Sequence, residues 1–151
     1  MTQEDKQLLL KDLSARLPYG VKCIVTKSRT EEGQKGDVGK IGWVSLEGVD
    51  CIGDREPFFS EFGNFKPYLI PLSSLTEEQR NSISHLLLDT QNEFPPYGEL
   101  NTKGCDNLFV SSIKQANVLI NYCLANHLDI NGLIEKGIAI EAPKDMYKNQ
   151  Q

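Results

Sequence analysis

Apolar residues recur three or four positions apart in three stretches of this chain, which is the spacing of one face of an α-helix. The first stretch predicts a helix over about residues 3–16, and the second predicts a helix over about 77–88. The third stretch is the most regular and begins near Ser112. Thr2 and Thr76 stand where the first two helices begin, and a hydroxyl at that position caps free backbone amides. The pattern therefore predicts three main helices.

Three other stretches are rich in β-branched and aromatic residues and predict strands. They cover about residues 21–28, 41–52 and 65–72. Gly48 indicates either a hairpin or a bulge within the second stretch. Prolines restrict the third stretch to a sheet edge or to strand ends, because proline donates no ladder hydrogen bond.

The rest of the chain adds shorter elements. Residues 89–106 are a long polar connection, with one short strand expected at 107–110. Residues 129–137 predict a helix of one or two turns, and 138–141 predict a short extended strip. The expected fold class is therefore α+β, with a small antiparallel sheet of three to five strands packed against three main helices.

Length and charge limit the classes of function. The 151 residues suit one hydrophobic core, so we expect a single domain over 1–147 and a frayed tail at 148–151. The net charge of -5 provides no general basic field to attract nucleic acid. No apolar run approaches the roughly 20 residues of a membrane helix, and the polar first residues are unlike a secretory signal. We therefore expect a cytoplasmic protein.

Cofactor motifs are weak. The four cysteines form no CxxC pair and fit no zinc template, so we expect reduced thiols and no metal. Gly39 and Lys40 resemble the end of a phosphate-binding loop, but Gln34 replaces a required glycine and Ile41 replaces the required serine or threonine. No cofactor is expected.

Aromatic residues crowd the segment 57–68, which holds more aromatic surface than a short loop usually buries. The candidate binding residues in this segment are Phe58, Phe59, Phe62, Phe65 and Tyr68. These rings either form an exposed patch for a protein partner or seal one end of the sheet. The favoured hypothesis is a non-enzymatic protein-binding or regulatory module that uses this segment and the strand edge near Tyr68.

The alternative hypothesis is a small enzyme. Cys105 lies in a polar loop where a thiol nucleophile can be exposed, and His127 is the candidate base. Asp106 and Asp129 are the carboxylates that accompany this pair. The competing interpretation is an inert loop cysteine and a histidine whose charge suits a helix C-terminus. A third hypothesis, a nucleic-acid-binding accessory protein, requires a hidden basic face.

Three motifs carry a resemblance to a known family. They are LPYGVK at 17–22, KPYLIPLSSLTEE at 66–78 and GLIEKGIAI at 132–140. Together they resemble a family of uncharacterised proteins of gut Bacteroidetes and their prophages or mobile elements. The resemblance covers most of the chain and leaves 29–40 and 89–106 unmatched. It implies a phage or mobile-element protein in the bacterial cytoplasm, and it implies no catalytic residue.

Overall fold

The computed structural model describes residues 1–27, 34–53, 56–89 and 113–147. Within these ranges the helices are α1 (Gln3–Arg16), α2 (Glu77–Asp89) and α3 (Ile113–Ala125). The strands are β1 (Lys22–Val25), β2 (Val38–Val44), β3 (Gly48–Gly53), β4 (Pro57–Glu61), β5 (Phe65–Leu69) and β6 (Ile140–Glu141). The α+β class and the three predicted helices are confirmed. The short strand expected at 107–110 lies outside the described residues.

The strands form one mixed sheet in the order β4-β3-β2-β1-β5-β6. All neighbours from β4 to β5 are antiparallel, whereas β6 runs parallel to β5. The expectation of an antiparallel sheet with three to five strands is therefore wrong in number and, at one edge, in direction. A parallel neighbour is possible because the connection from β5 to β6 is long and contains α2 and α3. Strand β6 itself has only two residues.

A three-residue link between β4 and β5 forces the sheet to curl. These strands lie four positions apart in the sheet order, which is about 19 Å in a flat sheet. Residues 62–64 let the chain span at most about 14 Å between the two strands. The Asn64 N–H donates to the Glu61 carbonyl over 3.0 Å, so the link is a tight turn. The five antiparallel strands therefore wrap into a partly closed barrel around the main core. The buried side chains of this core include Leu9, Leu13, Val25, Ile41, Val49, Phe58, Phe65 and Leu69.

Strand β4 replaces the aromatic loop that the sequence suggested. Phe58 and Ser60 are buried, while Pro57 and Glu61 are exposed and Phe59 is half-buried. This is the two-residue alternation of a strand with one face on the core. Aromatic residues on both faces hide that alternation in the sequence, which explains the wrong expectation.

Helix α1 begins as predicted. The Asp5 N–H donates to the Thr2 hydroxyl over 3.1 Å, and the Thr2 N–H donates back to the Asp5 carboxylate over 3.1 Å. This capping box satisfies two amides that the helix itself leaves free. Leu9 and Leu13 face the main core.

The buried face of α1 also carries an ion pair. The Arg16 Nε donates to Asp12 over 2.6 Å, and both side chains are fully buried. The Arg16 Nη2 also donates to the Leu128 carbonyl over 2.8 Å. The Asn131 amide donates to the same Asp12 carboxylate over 2.8 Å. The pair thus fixes α1 to the chain that follows α3.

Helices α2 and α3 enclose a second, smaller cluster of apolar side chains. Its buried members are Leu75, Ile83, Cys123 and Leu128. The N-terminus of α2 is capped as predicted, because the Gln79 N–H donates to the Thr76 hydroxyl and the Thr76 N–H donates to the Gln79 side chain. No helix in the described ranges is long and apolar enough to cross a membrane.

Hydrogen-bonded turns, rather than a helix, occupy the stretch predicted as helical at 129–137. The Asp129 carboxylate accepts from the Leu133 and Ile134 amides over 2.9 Å each. Gly137 has the predicted left-handed backbone, with φ of 69°. A single carboxylate therefore organises this segment around one turn.

We expect Asp12→Ala to lower the free energy of unfolding by about 3–5 kcal/mol, because it leaves the Arg16 guanidinium buried without its counter-ion. Urea denaturation measures this loss. Asp50→Ala removes an exposed carboxylate and is the matched control, with an expected change of about 0.5 kcal/mol or less. Equal unfolding midpoints for the two variants would show that the buried pair does not stabilise the fold.

Candidate functional site

An irregularity in β2 turns Trp43 away from the core. The register with β3 shifts between Ile41, which pairs with Cys51, and Trp43, which pairs with Asp50. In a regular strand Trp43 would point inward as Ile41 does, because side chains alternate. The β-bulge reverses the alternation after Ile41, and the Trp43 side chain is 63% exposed.

Two more apolar side chains share this outward surface. Phe59 on β4 and Trp43 on β2 lie on either side of Asp50, which pairs with both. Ile52 lies further along β3, opposite Lys40, and is 60% exposed. We call Trp43, Ile52 and Phe59 the outer patch. Its three side chains come from three neighbouring strands, and the Asp50 carboxylate lies between two of them.

Glycines shape the outer patch. The Ile52 side chain lies over Gly42, with its Cδ1 3.5 Å from the point where a Gly42 Cβ would be. The Phe59 ring lies against Gly48, where a Cβ would be only 2.9 Å from the ring edge. The same Cβ would overlap the Ser60 carbonyl oxygen, so a larger residue at Gly48 would push the β4 backbone and the Phe59 ring away from β3. The absence of side chains at these two positions therefore lets Ile52 and Phe59 lie close to the sheet.

Three exposed acidic residues lie on or next to the strands that carry the outer patch. Asp50 lies between Trp43 and Phe59, Glu47 lies in the β2–β3 turn, and Glu56 precedes β4, and all three carboxylates are exposed. The Lys40 side chain extends toward Gly20 instead, with its Cε 2.7 Å from the position of a Gly20 Cβ. The surface therefore favours a positively charged partner.

The structure divides the five predicted binding residues between the core and the surface. Phe58, Phe65 and Tyr68 are buried, and Phe59 and Phe62 are half-buried. Phe59 belongs to the outer patch. Phe62 packs at 5.8 Å from Phe65 between ring centroids, with the Lys6 ammonium 5.4 Å from its centroid. Binding of a partner through the segment 57–68 stays a prediction. Of the five predicted residues, Phe59 is the one that belongs to the outer patch.

His127 occupies an unusual backbone position at the end of α3. The Leu128 N–H donates to the Cys123 carbonyl over 2.8 Å, and the His127 N–H donates to the Leu124 carbonyl over 3.1 Å. This hydrogen-bond pair is the Schellman motif, whose left-handed residue is usually glycine. His127 has φ of 55° there.

The His127 imidazole is buried against Tyr147. The two rings are stacked, with centroids 3.7 Å apart and planes at 25°. The Nδ1 atom is buried and has no hydrogen-bond partner in the described part of the chain. Burial, followed by the positive charges of Arg16 and Lys22, lowers the pKa of His127 to about 4. The ring is therefore neutral at pH 7 and is a weak general base there.

A cleft of about 950 Å³ lies beside this histidine. It is bounded by α2, by the end of α3 and by the chain after β6, and its lining includes Tyr19, Gln79, Lys144 and Tyr147. Lysine and carboxylate side chains both line it, so its charge selects no single sign of ligand.

The described thiols are inert by environment. Cys23, Cys51 and Cys123 are buried, and none of the three forms a disulfide. The Cys23 and Cys51 sulfurs lie 3.2 Å apart, and this contact together with burial raises the pKa of Cys23 well above its usual range. Cys105 and Asp106, the other predicted catalytic residues, lie outside the described residues. The proposed pairing of Cys105 with His127 therefore stays a prediction.

No group of three or more His, Cys, Asp or Glu side chains in the described ranges could hold a metal ion.

Comparison with known proteins gives no relative. No family model, curated protein or solved structure matches this chain.

Neither Trp43 nor Ile52 is among the binding residues that the sequence predicted. A signal was present, because Ile41 and Val44 both lie on the inward side of β2 with two residues between them, which is the spacing of a bulged strand. The strand edge expected near Tyr68 is covered, since Tyr68 pairs with Ile140 of β6.

Between pH 7 and pH 5 we expect the free energy of unfolding of the wild-type protein to fall by roughly 1–2 kcal/mol more than that of His127→Gln. In the unfolded chain the pKa of His127 is about 6.5. In the folded chain burial and the positive charges of Arg16 and Lys22 lower this pKa to about 4, so the folded protein binds the proton only at lower pH. Urea denaturation of both proteins across this range measures the difference. Parallel pH profiles would show that His127 is not held neutral.

We expect iodoacetamide to leave Cys23, Cys51 and Cys123 unlabelled in the folded protein and to label them after unfolding in urea, because the folded structure buries these thiols. Peptide mass spectrometry locates the label. Rapid labelling of Cys105 near neutral pH would support the enzyme hypothesis, and rapid native labelling of the other three would contradict the described core.

Proposed function

We propose that this protein is a non-enzymatic binding module that holds a protein partner against the outer patch. The observation that carries the proposal is the β-bulge that turns Trp43 outward to 63% exposure. Bulges commonly serve to aim a side chain, and tryptophan is strongly enriched among residues that dominate binding energy.

The arrangement of the outer patch supports this proposal. Isolated apolar residues on a surface are ordinary, but large contiguous apolar surfaces mark interaction sites. Trp43, Ile52 and Phe59 are contributed by three neighbouring hydrogen-bonded strands. A rigid sheet holds them in place before binding, so little ordering of the backbone is needed on association.

Charge indicates the chemistry of the partner. The exposed carboxylates of Glu47, Asp50 and Glu56 lie within or beside the outer patch. A protein segment with aromatic or aliphatic anchors flanked by Lys or Arg matches this surface. The resemblance to Bacteroidetes prophage and mobile-element proteins supports a bacterial cytoplasmic setting for the interaction.

A display library of random twelve-residue peptides tests the proposal. We expect the selected peptides to combine apolar anchors with Lys or Arg and to shift the emission of Trp43 to shorter wavelength, since Trp43 is the one tryptophan in the sequence. Trp43→Ala should weaken their binding at least about tenfold, which corresponds to 1.4 kcal/mol. Isothermal titration calorimetry measures the affinities of all variants.

Ile120→Ala is the matched control for Ile52→Ala, because it removes an isoleucine that is 43% exposed on α3, outside the outer patch. Ile52→Ala should weaken peptide binding, and Ile120→Ala should not. Selected peptides that bind Trp43→Ala and Ile52→Ala as tightly as wild type would refute the proposal. Emission that shifts with protein concentration alone would identify a second copy of the chain as the partner.

A further inference from the structure

The hydroxyl of Tyr147 stands between two strands of the sheet. Strands β1 and β5 pair at Ile24 with Lys66 and at Cys23 with Pro67, so the next pair in register is Lys22 with Tyr68. The Lys22 N–H instead donates to the Tyr147 hydroxyl over 3.1 Å, and that hydroxyl donates to the Tyr68 carbonyl over 2.8 Å. The phenol thus bridges two backbone groups across the strands.

The ring of Tyr147 packs against a side chain whose backbone is held in place by hydrogen bonds. It stacks on the His127 imidazole with centroids 3.7 Å apart. His127 is fixed from both directions, because its N–H belongs to the end of α3 and its carbonyl accepts from the Ile70 N–H over 2.9 Å. We call the space bounded by His127, Lys22 and Tyr68 the phenol slot. All three residues belong to segments other than the one that carries Tyr147.

The phenol slot opens to a space large enough for a ligand. Both Tyr147 and His127 line the cleft of about 950 Å³. Tyr147 arrives on a turn at residues 143–147, in which the Met146 N–H donates to the Pro143 carbonyl over 3.1 Å. Just before this turn, the Ala142 N–H donates to the Leu69 carbonyl of β5 over 2.8 Å.

We propose that the phenol slot is a binding site for a para-substituted phenol, such as the side chain of a tyrosine, and that Tyr147 is its intramolecular occupant. Recognition uses three features: a donor at Lys22, an acceptor at Tyr68 and a flat aromatic face at His127. An incoming phenol takes all three contacts and displaces Tyr147 into the cleft. Its source is either a free small molecule or a tyrosine presented by another chain.

Competition sets the expected affinities. A group attached to the same chain acts at an effective concentration on the order of millimolar or more, so an external phenol binds the wild-type protein weakly. Removal of the Tyr147 side chain removes the competitor. We therefore expect Tyr147→Gly to bind p-cresol, the side-chain analogue of tyrosine, at least about tenfold more tightly than wild type does.

The experiment is a thermal-shift and NMR titration with p-cresol and with toluene, which lacks the hydroxyl. In Tyr147→Gly, p-cresol should bind at least about tenfold more tightly than toluene, the 1.4 kcal/mol expected for the hydroxyl contacts. In the wild-type protein, high concentrations of p-cresol should move the ring resonances of Tyr147 toward those of an exposed tyrosine. Glu135→Gly, which alters an exposed residue that does not line the cleft, should behave as wild type.

Equal binding of p-cresol and toluene to Tyr147→Gly would overturn the proposal, because it would reveal a plain apolar cavity. Unmoved Tyr147 resonances in saturating p-cresol would also overturn it, because Tyr147 would then be a permanent part of the core.

Should Tyr147→Gly fail to fold, Tyr147→Phe decides the question. That variant keeps the ring but lacks its hydroxyl, so p-cresol should bind it more tightly than wild type, and equal affinity would refute the site. Two further measurements distinguish a tyrosine of another chain from a free small molecule. The first repeats the titration with N-acetyltyrosine amide in place of p-cresol. The second compares the oligomeric state of the protein with and without free phenol.

Discussion

The short link between β4 and β5 is the constraint on which the rest of the fold depends. Because three residues join strands at distant positions in the sheet order, the sheet must curl, and its inner face becomes closed. Small residues make this closure feasible, since a Cβ at Gly39 would lie 3.0 Å from both Cys51 and Phe58. The outer face of the same strands is convex, so Trp43 and Ile52 project away from the barrel.

Local signals in the sequence were sufficient for the helices. Thr2 and Thr76 form the caps that their spacing predicts, and the apolar repeats give helix bounds close to those observed. Features that depend on distant partners were not predictable. The burial of Arg16 depends on Leu128, 112 positions away, and the parallel direction of β6 depends on its pairing with β5. The bulge at Trp43 required knowledge of the register with β3.

The two proposed sites use different parts of one sheet. The outer patch lies on β2, β3 and β4, whereas the phenol slot lies between β1 and β5 and against the end of α3. The outer patch is open and apolar with acidic neighbours, which suits a macromolecular surface. The phenol slot is narrow and has two directed polar groups, which suits a single ring. The outer patch and the phenol slot share no residue and no strand.

The chain uses the same terminal motif twice with different residues. Gly137 takes the left-handed position after the turn at Ile134, and His127 takes it after α3, although a residue with a Cβ costs about 1–2 kcal/mol there. Glycine at position 127 would relax the backbone but leave Tyr147 without its stacking partner. Positions 127 and 147 should therefore change in concert among descendants of a common ancestor, with glycine at the first accompanying loss of the aromatic ring at the second.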